Sequence, residues 1–421
     1  MTSSTSSSDS RINHTDPDDH SRYRARRIVG FKALLLGGSV FLVAMLLVNG
    51  LVSFARSQVP SPFSIHRIQT AAEALPAALQ IPATDERKVF YVMGSSLVEF
   101  GFSPQVFDQA LQANNIEAVS YNFGFGNSNP RIQKRFAERF AKTFEHHKGK
   151  VDYVLYEFAP FQATVARADQ SEKLSQAAEA VLGDWSDFVK LAWDDHELAF
   201  ARMNTKYIRN GVPAEAITSL LAKPIHGLNA DKKPPIDEPA EPKTGVLQMD
   251  FYRKLHKEWF SHQAPGQWRI DDRGGLPISA SVETMELAEQ VMARLQHPER
   301  MKRALDNRIK CCDMEDLHLD EEMVSDFIQA IHYAQSVSGQ VDVLLMPRNV
   351  DVVTLSVSGR ERLNQALKRI EAETGARILD FSETPPYSVS NFFDTDHLTL
   401  FKGRVRFSEQ LAQFYRDEME E

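Results

Sequence analysis

The chain has 421 residues and a mass of 47.6 kDa, long enough for one large domain or two medium ones. It is 43% apolar and 25% charged, with a net charge of −9, so general affinity for nucleic acid or an anionic surface is not expected. Its two cysteines, Cys311 and Cys312, are adjacent, which lacks the spacing and partners of a zinc site. They read as two thiols without structural duty, because a disulfide between neighbours closes a strained eight-membered ring.

Residues 1–28 are poor in apolar side chains over their first 20 positions and read as a disordered tail that ends in Arg22, Arg24, Arg26 and Arg27. Residues 29–55 read as a transmembrane helix. Ala33 to Ala55 is uncharged over about 23 residues, roughly 34 Å as helix. The arginines before it predict a cytoplasmic N-terminus, with the remainder outside the cytoplasmic membrane. Ser53-Phe54-Ala55 also has the small-x-small form of a signal-peptide cleavage site, although the apolar run is longer than a signal core. Residues 56–87, with Val59-Pro60-Ser61-Pro62, read as a stiff stalk.

From residue 88 the pattern is strand, helix, strand. Val89 to Met93, Ala118 to Phe123 and Val151 to Phe158 are short apolar runs, separated by helices that open at Ser103-Pro104 and run from Ile132 to His147. The same alternation returns with strands at Val341 to Met346 and Arg377 to Phe381, and helices at Glu361 to Thr374 and Gly403 to Met419. This predicts an α/β fold with a parallel sheet, split into residues 88–164 and 339–421, and working residues at the carboxyl ends of strands. Residues 165–338 form a mostly helical insertion, with helices expected over Ser171 to Leu182, Trp185 to Ile208, Thr284 to Leu295 and Glu321 to Ser336, and an exposed loop over Asp231 to Thr244. The basic residues between Arg131 and Lys150 read as a solvated helix face, with an anion-binding strip as the alternative. His146-His147 and the histidines from His256 to His262 show no ligand pattern, so no metal and no cofactor is expected.

Two stretches carry chemistry. Gly94-Ser95-Ser96 follows the first strand, where glycine permits a tight turn and a serine hydroxyl is presented at the start of a helix. Asp394-Thr395-Asp396-His397 offers an imidazole and two carboxylates that can orient it. Together they supply the nucleophile, base and orienting acid of acyl transfer.

These motifs resemble the SGNH (GDSL-like) hydrolase superfamily. The closer resemblance is to its membrane-anchored bacterial branch, which handles acyl groups on cell-surface polymers in teichoic-acid D-alanylation and exopolysaccharide O-acetylation. Gly94-Ser95-Ser96 matches the first block with Ser in place of Asp, and Asp394 and His397 match the final Asp-x-x-His. The resemblance covers about residues 88–162 and 340–415. It implies a three-layer, flavodoxin-like parallel sheet and a Ser96, His397, Asp394 triad, with Asp396 as a bystander. It further implies oxyanion donors from the Ser96 backbone and from Gly126 or Asn127 in the second block. The third block normally carries Gly-x-Asn, but this strand ends Glu157-Phe158-Ala159-Pro160-Phe161-Gln162, so Gln162 or Asn127 is expected to replace that donor.

The implied function is a single-pass, extracytoplasmic acyltransferase or esterase acting on acetyl or other acyl esters of an envelope or exported polysaccharide. Its expected partners are the polymer, the membrane and a multi-span acyltransferase. The alternatives are a non-catalytic scaffold or binding subunit of a polymer-export complex and an anchored lipase or esterase.

Overall fold

The computed structural model describes residues 32–51, 63–208, 250–251, 254–255, 258, 273–274, 280–383 and 385–420. The expected tail, the Ser53-Phe54-Ala55 site, Val59-Pro60-Ser61-Pro62, the loop from Asp231 to Thr244, and His256 and His262 lie outside these residues. Two units are distinct, Met1–Phe54 and Ala55–Glu421. In the first, helix α1 (Lys32–Leu51) is 20 residues long and apolar enough to cross a membrane.

The second unit is a mixed α/β domain built on five parallel strands, β1 (Lys88–Gly94), β2 (Ala118–Gly124), β3 (Tyr153–Glu157), β4 (Gln340–Leu345) and β5 (Arg377–Asp380). Their spatial order is β2-β1-β3-β4-β5. The order reverses direction between β1 and β3, so the crevice at the carboxyl ends of those two strands is the topological switch point, the usual place for a ligand in such sheets. Each strand is a nearly continuous apolar run because both faces are covered. Alternation along β1 shows this: Phe90 stacks on Tyr153 and meets Phe107 and Tyr415 on one face, while Tyr91 meets Tyr121 and Phe140 on the other.

The connections are helical. Between β1 and β2 come α3 (Ser96–Gly101) and α4 (Pro104–Gln112), the latter capped by Ser103 with Pro104 in its first turn. Helix α5 (Pro130–His147) joins β2 to β3, α12 (Val357–Thr374) joins β4 to β5, and α13 (Gly403–Glu420) follows the last loop. The long β3–β4 segment carries α6 (Val165–Leu182), α7 (Trp185–Asp194), α8 (His196–Met203), α9 (Val282–Leu295), α10 (Pro298–Cys312) and α11 (Glu321–Gln335).

Several expectations are corrected. Residues 63–78 of the expected stalk form helix α2 (Phe63–Ala78), and Ile65, Ile68, Ala71, Leu75 and Ala78 are buried in the main core. The Tyr91 hydroxyl donates to the Ala78 carbonyl at 2.8 Å. The ends of the insertion also belong to the core: Ala177, Ala178 and Val181 of α6 and Met323, Phe327 and Ile331 of α11 are buried there. The single helix expected from Trp185 to Ile208 breaks at Asp195, whose side chain caps α8 by accepting the Leu198 N–H, and ends in a π-helical turn over Asn204–Ile208. The basic side of α5 is neither a free solvated face nor an anion strip. Arg131 pairs with Glu172, Lys134 with Asp326, and Lys142 with Asp187, tying α5 to its neighbours. Cys311 and Cys312 are joined in a disulfide at the end of α10 rather than standing as two thiols.

Candidate active site

The first wall of the site is the turn from β1 into α3. A Cβ on Gly94 would lie 2.3 Å from Glu157 Oε2 and 2.7 Å from Val98 Cγ2, so this position has room only for glycine. Ser95 is the N-cap of α3: its hydroxyl accepts the Leu97 N–H at 3.2 Å and donates to Glu157 at 3.0 Å. The Ser95 backbone N–H also donates to Glu157. Burial pushes the Glu157 carboxyl up to about 7, against the pull of the Ser95 hydrogen bonds. Ser96 therefore sits in the first turn of a short helix pinned to the end of β3. Among the described residues its backbone N–H has no hydrogen-bond partner, so that donor is available.

From below, Asn122 of β2 holds the far end of α3. Its amide donates to the carbonyls of Val98 (3.0 Å) and Phe102 (2.8 Å), and its oxygen accepts the Gly124 N–H at 2.9 Å. A Cβ on Gly124 would fall 2.2 Å from the Glu99 nitrogen, so β2 and α3 meet backbone to backbone.

The opposite wall is the loop before α13. Asp394 accepts the backbone N–H groups of Asp396 and His397 at 3.0 and 2.8 Å, folding the stretch into a tight turn. The Phe393 N–H closes the turn on the His397 carbonyl at 3.0 Å. This geometry brings His397 Nδ1 to 3.0 and 2.9 Å from the two Asp394 oxygens. His397 Nε2 lies 2.8 Å from Ser96 Oγ, across 301 residues of sequence. Phe393 stacks on the imidazole, with centroids 5.3 Å apart, and Phe100 meets it edge-on at 5.6 Å.

Asp396, expected as a bystander, is not one in position. Its Oδ1 lies 3.2 Å from His397 Nδ1 and 3.0 Å from Arg308 Nη2 of α10. Burial opposes a charged imidazole here, but the Asp394 and Asp396 carboxylates override it and raise His397 to about 10. His397 and Arg308 in turn hold the buried Asp396 carboxyl below the usual range. Asp394, Asp396 and His397 offer ligand atoms within 4.8 Å of one another, and Arg308 supplies the counter-charge to this cluster.

The expected oxyanion residues divide. The Gly126 backbone amide lies near the carboxylate of Glu99, whose pKa burial raises against the pull of Arg67 and of that amide. Glu99 is paired with Arg67 of α2, whose Nε lies 3.3 Å from Glu99 Oε1 and 2.7 Å from the Gly124 carbonyl. Asn127 and Gln162 are brought together through Arg167 of α6. Arg167 Nε donates to Gln162 Oε1 at 2.8 Å and its Nη2 donates to Asn127 Oδ1 at 3.0 Å.

The sequence reading missed Glu157, Arg67, Arg167 and Arg308. Glu157 alone left a signal, as an acid at the end of an otherwise apolar strand. Alongside lies a cavity of about 60 Å³, lined by Leu97, Phe158, Phe161, Met346 and Asp396 among others. Compared with known proteins, the chain matches no family model and no curated protein.

Proposed function

We propose that the protein is a membrane-anchored, SGNH-like acyl-ester enzyme that uses Ser96 as nucleophile. The observation that carries this reading is the chain of contacts from Ser96 Oγ through His397 to Asp394, with 2.8 Å between Oγ and Nε2. His397 Nε2 takes the Ser96 proton as Oγ attacks the ester carbonyl, giving a tetrahedral oxyanion. Asp394 and Asp396 stabilise the imidazolium so formed. Collapse of the oxyanion breaks the ester C–O bond, and the departing alcohol takes the proton from His397. The acyl group on Ser96 then passes to a sugar hydroxyl or to water, with His397 again removing the proton. The Ser96 backbone N–H, Gln162 and Asn127 are the candidate oxyanion donors.

The strand order supports a flavodoxin-like, three-layer SGNH arrangement. The resemblance of the first and last blocks supports acetyl as the acyl group. Helix α1 and the arginines before it support a single-pass anchor in a bacterial cytoplasmic membrane, with the N-terminus cytoplasmic and the domain outside. An anchored enzyme of this kind would act on an exported or envelope polysaccharide, with a multi-span acyltransferase delivering the acyl group. One observation favours a second reading, a scaffold or binding subunit of a polymer-modification complex: the third strand ends Glu157-Phe158-Ala159-Pro160-Phe161-Gln162, without the Gly-x-Asn donor block.

The test uses detergent-solubilised full-length protein, an activated acetyl ester and a serine-reactive fluorophosphonate. Labelling at Ser96, and loss of both labelling and turnover in Ser96→Ala, are expected. Wild-type protein that neither labels nor turns over would leave the scaffold reading. Polysaccharide that raises total acyl turnover above hydrolysis would identify a transferase.

A further inference from the structure

Arg167 is held firmly at the start of α6. Its backbone N–H donates to the N-cap Thr164, and the Thr164 hydroxyl donates to the Cys312 carbonyl at 3.0 Å. The adjoining Val165 N–H donates to the His318 carbonyl, and the Ala163 carbonyl accepts the Asp320 N–H. The guanidinium is partly buried, and among the described residues no carboxylate pairs with it. Its two side-chain contacts are the amide oxygens of Gln162 and Asn127.

A guanidinium has only donors, so both amides must present oxygen to it. Their NH₂ groups are therefore turned away from Arg167. Gln162 is 2% exposed, so its amide has little freedom to turn back. Asn127 has φ of 60°, in the left-handed region that asparagine tolerates, which fixes the backbone from which its amide projects. The cluster adjoins the triad: Arg308 lies over the ring of Phe161, the residue before Gln162, and pairs with Asp396 at 3.0 Å, and Asp396 contacts His397. The positive charge behind each amide also polarises its N–H bonds.

We propose that Arg167 is a positioning residue that holds the Gln162 and Asn127 amides as N–H donors to the acyl oxygen. The donor set missing from the third sequence block is thus rebuilt by a residue of the inserted segment. This rests on the acyl-transfer reading.

The test compares three variants of the full-length protein in detergent, using an activated acetyl ester and the rate of fluorophosphonate labelling at Ser96. Gln162→Glu is the decisive one. It retains shape and strengthens the Arg167 contact, but replaces an N–H donor with an oxygen. The expected result is a loss in kcat of about 100-fold with little change in KM, slower labelling, and a melting temperature no lower than wild type. Arg167→Met is expected to lose a similar factor in kcat. Arg167→Lys, which cannot bridge both amides in one plane, is expected to fall between. Wild-type kcat and labelling in Gln162→Glu or Arg167→Met would overturn the proposal while leaving the acyl-transfer reading intact. Should Arg167→Met fail to fold, Gln162→Glu decides alone. Absence of labelling in the wild type would overturn both.

Discussion

His397 Nδ1 faces two carboxylates, Asp394 at 2.9 Å and Asp396 at 3.2 Å, and among the described residues only Asp396 forms an ion pair with an arginine. The two acids therefore have different effects. Asp394 fixes the imidazole with both oxygens and folds the loop, so Asp394→Asn should reduce kcat more than Asp396→Asn. Both acids raise the His397 pKa, and proton transfer from Ser96 needs the neutral ring. Activity should thus rise with pH, with an apparent pKa above the ordinary 6.5 of histidine. Removing one negative charge in Asp396→Asn lowers that pKa, so the rising limb should move to lower pH. A pH–kcat/KM profile of the two proteins checks the sign, and a limb that moves upward in the variant would refute the electrostatic account. The pairing of Asp394 with His397 was legible because it is local in sequence. The contact of Asp396 with Arg308, 88 residues away, was not.

At the level of elements, the strands were legible because buried parallel strands are mostly apolar runs, with few polar residues such as Asn122 in β2 and Asp342 in β4. Helices were less so where charge or small residues dilute the pattern. Helix α10 is rich in charge, with only Met301 and Cys312 buried, and its periodicity is hard to see in the sequence. Helix α2 hides behind Pro76 and a run of alanines, although Ile65, Ile68, Ala71, Leu75 and Ala78 do recur at helical spacing. The packing of β2 against α3 is equally invisible in sequence, yet it sets the position of Ser96. Adding a methyl at Gly124 pushes on the Glu99 backbone, which has no flexible end to give. Gly124→Ala should cost about 1–3 kcal/mol, the usual range for overpacking, and lower turnover because α3 is displaced. Asn122→Leu should cost a similar amount by removing the donor to the buried Phe102 carbonyl at the end of α3. Urea unfolding and ester turnover, measured on the same samples, check both.

For the whole domain, α2 is tied to α3 by the Arg67–Glu99 pair, with side chains 3% and 0% exposed. Burial drives the pKa of Arg67 down and that of Glu99 up, so each depends on the other to stay charged. Removing one partner strands a buried charge, and Arg67→Met should cost about 3–5 kcal/mol. The double variant Arg67→Met/Glu99→Gln should recover part of that loss, although the Gly124 carbonyl still loses its donor. A double-mutant cycle in urea gives the coupling, and additive single-variant effects would show that the pair is not linked.

Helix α2 has a practical consequence for anyone cutting or tagging this gene product. A soluble fragment begun at the first strand would discard Arg67 and the Ala78 carbonyl that receives the Tyr91 hydroxyl. It would then fail for reasons unrelated to the membrane. The permissive boundary lies before Phe63, and a protease site, epitope or fluorescent fusion inserted between Phe63 and Ala78 should disable the domain.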